Sequence, residues 1–228
     1  MVDGVLVPSL SDLTNYFNMN MNMKPALIIV DMINDFYHPE GLLYDENSKK
    51  IWNPVISNIR TLLEVFRSKN LDIIYLATSH RKDCSDIGIG ELPDSYTIPA
   101  MDFNRPYLSP CGFVGTKGAK IIDELTPLEN DIIVMKRRYS GFFNTDLDMI
   151  LRRKKINTLF MTGGDVDCCV KFTCADAYYR DYNVVLITDC VASDSEAEYS
   201  AAVQNIRKLL GTTRTLAQAV EWLNKTYP

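Results

Sequence analysis

The protein has 228 residues, of which 46% are hydrophobic and 23% are charged, with a formal net charge of −5. Its length and apolar content fit one large globular domain, and its mild acidity offers no basic surface for nucleic acid or an anionic membrane. We expect a cytoplasmic protein, because no apolar run approaches the roughly 20 residues of a membrane helix and residues 1–24 lack the pattern of a secretion signal.

The chain begins with an Asn- and Met-rich segment, residues 1–24, which we interpret as an extension of a domain formed by residues 25–228. After it, short apolar runs alternate with longer segments of helical periodicity. Wholly apolar, β-branched runs are typical of strands that are buried on both faces. Strands are predicted at 26–30, 71–78, 131–135, 157–162 and 183–188, and helices at about 54–68, 146–154, 168–182 and 195–210.

Residues 212–222 are predicted to add an edge strand and a closing helix. Strands that alternate with helices favour a parallel sheet covered on both faces. The sequence therefore predicts an α/β fold, a three-layer α/β/α sandwich with a mostly parallel, doubly wound sheet of about six strands.

One stretch, residues 80–117, breaks this alternation. It contains several Pro, Gly and Ser residues and has weak periodicity, and a loop of that length is usually functional or disordered. It follows the carboxyl end of a predicted strand, where open α/β sheets bind ligands. We interpret it as a lid or pocket wall, with an inert surface loop as the alternative.

Two charged residues, Asp31 and Lys136, lie where predicted strands end, which is where catalytic groups collect in a doubly wound sheet. Asp31 is flanked by apolar residues, so desolvation could raise its pKa and make it a general base. A structural cap is the alternative. Lys136 alone reads as a surface lysine, but an ammonium near a thiol favours the thiolate.

A cysteine pair, Cys168 and Cys169, follows a predicted strand through two glycines. The start of a helix lowers the pKa of a thiol through the helix dipole, and its free N–H groups can bind an oxyanion. Neighbouring helical residues point about 100° apart, so we expect one thiol to face a pocket and the other to be buried. A disulfide between adjacent cysteines is strained and disfavoured.

The other cysteines and the histidines indicate neither a disulfide scaffold nor a metal site. Six cysteines are sparse for this length, and His38 and His80 are the two histidines. We expect Cys174 and Cys190 to pack in the core. The glycine-rich fingerprints of dinucleotide and P-loop nucleotide binding are absent from the sequence.

Four spaced blocks of sequence are the most informative feature of the chain. They are IIVDMINDF at 28–36, GTKGAKIIDEL at 115–125, KRRYSGFFNTDLD at 136–148 and TGGDVDCCVKFTCADAYYRDYNVVLITDCVA at 162–192. Together they resemble the isochorismatase-like cysteine hydrolase superfamily, which includes nicotinamidases, N-carbamoylsarcosine amidases, ureidoacrylate amidohydrolases and isochorismatases. The resemblance covers about residues 24–193, and the shared order and spacing of the blocks make it specific.

The resemblance implies an Asp-Lys-Cys triad, which falls on Asp31, Lys136 and Cys169. It also implies a cis peptide bond at Gly164–Asp165 and an oxyanion hole formed by the backbone N–H groups of Asp165 and Cys169. The sequence departs from the family pattern at Gly164 and Asp165, where an aliphatic and a small residue are usual. That departure bears on the shape and charge of the pocket.

The activity implied by the resemblance is hydrolysis of a C–N bond in a small amide or N-carbamoyl (ureido) compound, through a thioester and without a cofactor. The cationic residues Arg81, Lys82, Arg105 and Arg138 are candidates for binding a substrate carboxylate, which guanidinium can bind bidentately, with a solvated surface charge as the alternative. Phe36, Tyr139 and Phe142 are candidates for lining the pocket, with core packing as the alternative.

Other functions stay open. Nicotinamidases carry a metal site built on an Asp and two His residues, which this sequence cannot assemble near the pocket, so we expect no metal. Isochorismatases do not depend on a cysteine nucleophile, so Cys169 favours an amidase. A non-catalytic binding protein of the same fold and a thiol redox protein that uses Cys168 and Cys169 are the alternatives from other classes. The resemblance also implies a homodimer or homotetramer.

Overall fold

Six parallel strands form the central sheet of the computed structural model, which describes residues 9, 23–87 and 111–228. The strands are β1 (Pro25–Val30), β2 (Asp72–Thr78), β3 (Ile132–Lys136), β4 (Thr158–Gly163), β5 (Asn183–Val191) and β6 (Thr212–Arg214). Their order is β3-β2-β1-β4-β5-β6, and every neighbouring pair is parallel. The predicted doubly wound α/β sheet is therefore confirmed.

Helices connect the strands. They are α1 (Asn34–Tyr37), α2 (Lys49–Ser68), α3 (Leu147–Arg153), α4 (Lys171–Tyr178), α5 (Glu196–Asn205) and α6 (Leu216–Thr226). A π-helical turn, Val166–Val170, leads into α4. Helix α2 begins five residues before the predicted start at residue 54, because a 3-10 turn capped by the Asp45 side chain runs directly into it.

Two apolar cores lie on opposite faces of the sheet. One packs α2 and α6 against the strands through residues such as Leu27, Ile59, Phe66 and Leu223. The other packs α3, α4 and α5 against the opposite face through residues such as Ile28, Leu151, Cys174 and Ala202. This is the three-layer sandwich, and Cys174 and Cys190 are fully buried in it, as predicted.

The two described ends of the long loop meet at the carboxyl end of β2. The His80 N–H donates to Gly112 O at 3.0 Å, and the Val114 N–H donates to His80 O at 2.9 Å. The Asp35 carboxylate accepts from the Gly112 N–H at 2.7 Å. Residues 88–110, which include Arg105, lie outside the described residues, so the interpretation as a lid stays a prediction.

Most of the predicted extension, residues 1–8 and 10–22, also lies outside the described residues. The boundary at residue 24 therefore stays a prediction, although β1 begins at Pro25. Within the part of the chain that the structure describes, no helix combines the length and apolar character needed to cross a membrane.

Candidate active site

Asp31, Lys136 and Cys169 meet at the carboxyl edge of the sheet. Asp31 follows β1, Lys136 is the last residue of β3, and Cys169 lies in the turn after β4. Strand β2 separates β1 from β3, so a long side chain is needed to reach across it. The Lys136 Nζ lies 2.6 Å from Asp31 Oδ2 and 3.4 Å from Cys169 Sγ. The lysine thus connects the carboxylate to the thiol.

The Lys136 ammonium is buried, with 1% of its side chain exposed. Besides Asp31 and Cys169, it donates to Thr78 Oγ1 at 3.0 Å and to the Arg138 carbonyl at 3.2 Å. Burial lowers the pKa of Lys136, but the neighbouring Asp31 carboxylate and Cys169 outweigh burial and raise this pKa above its usual value. Lys136 is therefore a buried, fully partnered cation rather than a surface lysine.

The Asp31 carboxylate has two oxygens with different partners. Its Oδ1 accepts from the Thr78 N–H at 2.7 Å and from the Thr78 hydroxyl at 2.9 Å, and its Oδ2 faces Lys136. The backbone of Asp31 has φ of 54°, a left-handed conformation that aspartate tolerates better than most residues. Oδ1 is thus held by two hydrogen bonds from Thr78, while Oδ2 is paired with the Lys136 ammonium.

Thr78 is a site residue that the sequence reasoning missed. It ends β2 and pairs in register with Lys136 of β3, and its hydroxyl donates to Asp31 while it accepts from Lys136. A threonine at the end of a strand is common, so the residue type gave no signal. Its position at the end of the strand between β1 and β3 was the available signal.

Cys169 is held by the first turns of the helix that follows β4. The Thr173 hydroxyl donates to the Cys169 carbonyl at 2.7 Å, and the Gly141 N–H donates to the Thr173 hydroxyl at 3.0 Å. This chain of bonds ties the helix to the loop after Lys136. The π-helical turn around Cys169 is of a kind that occurs frequently at functional sites.

The expected low pKa of Cys169 is wrong. A hydrogen bond between the Cys168 and Cys169 thiols, together with burial, raises the pKa of Cys169 well above its usual value, although Lys136 acts to lower it. The expectation that the other cysteine is buried is also wrong, because Cys168 is a half-buried residue. The Cys168 hydrogen bond and burial thus favour the protonated form of the Cys169 thiol, and Lys136 favours the thiolate.

Two glycines and a cis peptide bond shape the loop between β4 and Cys169. Gly163 has φ of 101° and lies against the Val30 backbone, where a side chain would not fit. The peptide bond between Gly164 and Asp165 is cis. Within the described ranges, the Asp165 N–H donates to no acceptor, whereas the Gly164 N–H donates to Val30 O at 3.0 Å. The Asp165 N–H is thus available to a ligand.

Tyr37, at the end of α1, is a second residue that the sequence reasoning missed. Its ring packs against Trp52, with 4.6 Å between ring centroids. A side chain at position 164 would overlap the Tyr37 hydroxyl and the Trp52 ring, so Gly164 is the residue that makes room for them. Burial, followed by the charges of Asp165, Asp31 and Cys169, raises the pKa of Tyr37. Tyr37 therefore belongs to the site as a neutral phenol.

Phe36 lies beside Tyr37, with 6.0 Å between the ring centroids. Both residues line a pocket of about 210 Å³ on the α2 side of the site. The other lining residues are Pro39, Tyr44, Lys49, Trp52, Asn53, Ile56 and Glu124. Among the predicted pocket residues, Phe36 is thus placed in a cavity wall that adjoins the site through Tyr37.

Two of the candidate arginines have other partners. The Arg138 guanidinium donates through Nη1 to the carbonyls of Asp86 at 2.7 Å and Arg137 at 2.5 Å. The Arg81 side chain is exposed, and its backbone N–H donates to the Asp86 carboxylate at 3.0 Å. Both residues thus help Asp86 to anchor the start of the long loop, and binding of a substrate carboxylate by them stays a prediction.

The two remaining aromatic candidates are divided between surface and core. Tyr139 is 42% exposed and stacks on Phe172, with 5.8 Å between centroids. Phe142 is 5% exposed and packs against Tyr182 within the core on the α4 side of the sheet. Core packing therefore explains Phe142, whose ring belongs to the apolar layer beneath the site.

Among the residues that the structure describes, no group of three or more His, Cys, Asp or Glu side chains could hold a metal ion. His80 Nδ1 lies 3.5 Å from Asp86 Oδ1. His38 Nδ1 accepts from the Glu40 N–H at 3.1 Å. Each histidine thus interacts with a nearby residue of its own loop.

Comparisons with known proteins identify the family of the chain and structures of similar fold. The family model described as the isochorismatase domain matches residues 25–218. The crystal structure of a cysteine hydrolase from Pseudomonas syringae pv. phaseolicola 1448A is 28% identical, with a TM-score of 0.76, over 90% of this chain and 94% of that one. N-carbamoylsarcosine amidase from Thermoplasma acidophilum is 30% identical, with a TM-score of 0.66, over 85% and 97%. Nicotinamidase from Bacillus subtilis is 26% identical, with a TM-score of 0.69, over 85% and 100%.

Proposed function

Because this chain belongs to the isochorismatase family of hydrolases, we propose that it is a cysteine-dependent amidohydrolase of a small amide or N-carbamoyl compound. In this proposal Cys169 is the nucleophile, Asp31 is the general base and acid, and Lys136 holds both in place. The observation that carries it is the position of the Lys136 ammonium, 2.6 Å from Asp31 and 3.4 Å from Cys169.

The first step activates the thiol. Asp31 Oδ2 takes the proton of the Cys169 thiol, while Oδ1 stays fixed by its two hydrogen bonds from Thr78. The buried Lys136 ammonium stabilises the thiolate that forms. Since the resting pKa of Cys169 is raised, transfer to a positioned carboxylate supplies the activation that the helix start alone does not supply.

The second step breaks the C–N bond. The Cys169 sulfur attacks the carbonyl carbon, and the negative charge on the carbonyl oxygen is stabilised by the backbone N–H groups of Asp165 and Cys169. Asp31 then returns its proton to the nitrogen, and ammonia or an amine leaves. The product of this step is a thioester on Cys169.

The third step releases the acid. Asp31 Oδ2 takes a proton from a water molecule, the resulting hydroxide attacks the thioester carbonyl, and the C–S bond breaks. The Cys169 thiolate then recovers the proton from Asp31. The chemistry is complete with these protein groups and water, and the net reaction is hydrolysis to ammonia or amine and an acid or carbamate.

The experiment that tests this proposal is ammonia release from a panel of N-carbamoyl acids, ureidoacrylate, simple amides and nicotinamide. We expect at least one substrate class to be hydrolysed by the wild-type protein and not by Cys169→Ala. Release that persists in Cys169→Ala, or a wild-type protein without activity on the whole panel, would contradict the proposal.

A further inference from the structure

A buried serine and a carboxylate join the two chain segments that carry Lys136 and Cys169. Ser140 is 8% exposed and lies in the loop after β3, residues 137–146, four residues after Lys136. Asp176 lies on α4, seven residues after Cys169. The Ser140 hydroxyl donates to Asp176 Oδ2 at 2.5 Å. Neither residue has a role in the proposed chemistry, but their bond connects the loop that follows the lysine to the helix that follows the thiol.

The Asp176 carboxylate is held from its own helix and from the same loop. Its Oδ1 accepts from Arg180 Nη1 at 2.8 Å, and the Arg180 guanidinium carbon lies 5.1 Å from the centre of the Phe142 ring. The Ser140 hydroxyl also accepts from the Phe142 N–H at 3.1 Å. Because hydrogen bonds to a charged group are stronger than those between neutral groups, this network can fix the loop against the helix.

A second contact lies beside the first. The Gly141 N–H donates to the Thr173 hydroxyl at 3.0 Å, and this hydroxyl donates to the Cys169 carbonyl at 2.7 Å. Gly141 also lies against Leu76, where a side chain would overlap the leucine methyl groups. Two adjacent loop residues, Ser140 and Gly141, therefore each bond to a side chain of α4. The loop cannot slide along α4 without breaking both bonds.

The position of the loop bears on the Lys136 ammonium through the Arg138 carbonyl. Asp31 and Thr78 contact the ammonium from the ends of β1 and β2, and the Arg138 carbonyl, two residues before the serine, accepts from it at 3.2 Å. The same ammonium lies 3.4 Å from Cys169 Sγ. Since the interaction of a charge with the sulfur weakens with distance, a shift of the loop relative to α4 would change how strongly the lysine stabilises the thiolate.

We infer that Ser140 and Asp176 are positioning residues, which hold the loop after β3 against α4 and so set the distance between the Lys136 ammonium and the Cys169 sulfur. This inference rests on the proposed function of Cys169. The two residues act through the Arg138 carbonyl and the helix, and they exchange no proton with the substrate.

The first test measures the thiol itself and needs no substrate. The rate of alkylation of Cys169 by iodoacetamide follows its thiolate fraction, and site-resolved mass spectrometry measures this rate between about pH 6 and 10. In Ser140→Ala the ammonium loses its fixed place beside the sulfur, so the profile of rate against pH should shift to higher pH by about 1 pH unit. Asp176→Ala should give the same shift. Asp176→Asn, which keeps an acceptor for the serine hydroxyl, should stay near wild type.

Steady-state kinetics on any hydrolysed substrate give the second readout. Ser140→Ala and Asp176→Ala should each lower kcat about tenfold to hundredfold, with little change in KM, because misplacement of a catalytic group by about 1 Å has effects of this size. The double variant should lose no more than the larger single loss, since both residues act through one contact. Asp176→Asn should recover most of the activity.

Ser200→Ala is the matched control, because the Ser200 hydroxyl also donates to a carboxylate, that of Glu196 at 2.9 Å, on the exposed side of α5. It should leave both the alkylation profile and kcat unchanged. The Asp176 side chain is 32% exposed, so Asp176→Ala keeps the test available if the buried Ser140 variant does not fold.

Two results would overturn the inference: an alkylation profile that is unchanged in Ser140→Ala and Asp176→Ala, or equal impairment of Asp176→Asn and Asp176→Ala. The alkylation test also separates this inference from the proposed function. A shifted profile in a protein that hydrolyses no amide or urea would support the positioning role and contradict the proposed function. An unshifted profile in an active hydrolase would do the reverse.

Discussion

The Lys136 Nζ lies 2.6 Å from Asp31 Oδ2, with 1% and 2% of the two side chains exposed. Two charges taken out of water at this distance stabilise each other only if their remaining hydrogen bonds are made. Thr78 makes them for both residues, since it donates to Asp31 and accepts from Lys136. The pair is therefore a buried ionic unit, and neither charge is tolerable there without the other.

The first prediction concerns this unit. Lys136→Met should destabilise the protein by about 3–5 kcal/mol, because it leaves the Asp31 carboxylate buried without a partner. The double variant Asp31→Asn/Lys136→Met should lose much less than the sum of the two single variants. Urea denaturation measures the three free energies of unfolding.

Lys154→Met is the control for this cycle, since the ion pair of Lys154 with Asp72 is partly solvent-exposed. Its loss should cost less than about 1 kcal/mol. Additive losses in the Asp31 and Lys136 variants would show that the two charges do not depend on each other.

The second prediction concerns Thr78. Thr78→Val keeps the backbone N–H bond to Asp31 and removes the hydroxyl from between Asp31 and Lys136. A hydrogen bond to a charged group contributes about 1.5–3 kcal/mol, so kcat should fall about tenfold to hundredfold with little change in KM. Thr78→Ser, which restores the hydroxyl, should recover most of the activity. Steady-state kinetics on any hydrolysed substrate gives the answer, and equal activity of the valine and serine variants would rule out this role.

The third prediction concerns pH and Asp165. Its pKa in the folded protein is about 8, against an ordinary value of 3.8, so the folded state binds the proton more tightly than the unfolded state. The contribution of Asp165 to the free energy of unfolding is therefore fully present below about pH 4 and is lost as the pH rises to about 8. Asp165→Asn has no such loss, so its stability relative to wild type should increase over that range, by at most about 1.4 kcal/mol per pH unit.

Urea denaturation at four or five pH values between 4 and 9 measures the effect, with Asp181→Asn as the control that should show a constant difference from wild type. A difference between Asp165→Asn and wild type that does not vary with pH would contradict the assigned pKa.

The sequence was sufficient to predict the sheet and the three residues at its carboxyl edge. Asp31, Lys136 and Cys169 each follow an apolar run or lie in a block that resembles a known family, so local pattern was enough to find them. Thr78 and Tyr37 could not be found in this way. Thr78 acquires its role from the register of β2 and β3, and Tyr37 acquires its role from the space that Gly164 leaves open.

The sequence also could not predict which groups a side chain binds in the folded protein. Arg138 is a candidate for binding an anion by its residue type, but the sequence does not show that its guanidinium also donates to the carbonyls of Asp86 and Arg137. The hydrogen bond with the neighbouring Cys168 thiol and burial raise the pKa of Cys169 and outweigh Lys136, which acts to lower it. The partners and the burial of a side chain depend on the three-dimensional structure, which the sequence pattern does not contain.

The central claim is that the Cys169 sulfur carries the acyl or carbamoyl group during turnover. Rapid acid quenching of the protein with a hydrolysed substrate, followed by peptide mass spectrometry, tests it most directly. The account predicts a mass increase equal to the acyl or carbamoyl group on Cys169, retained in Cys168→Ala and lost in Cys169→Ala. An adduct on Cys168, or full turnover by Cys169→Ala, would contradict it.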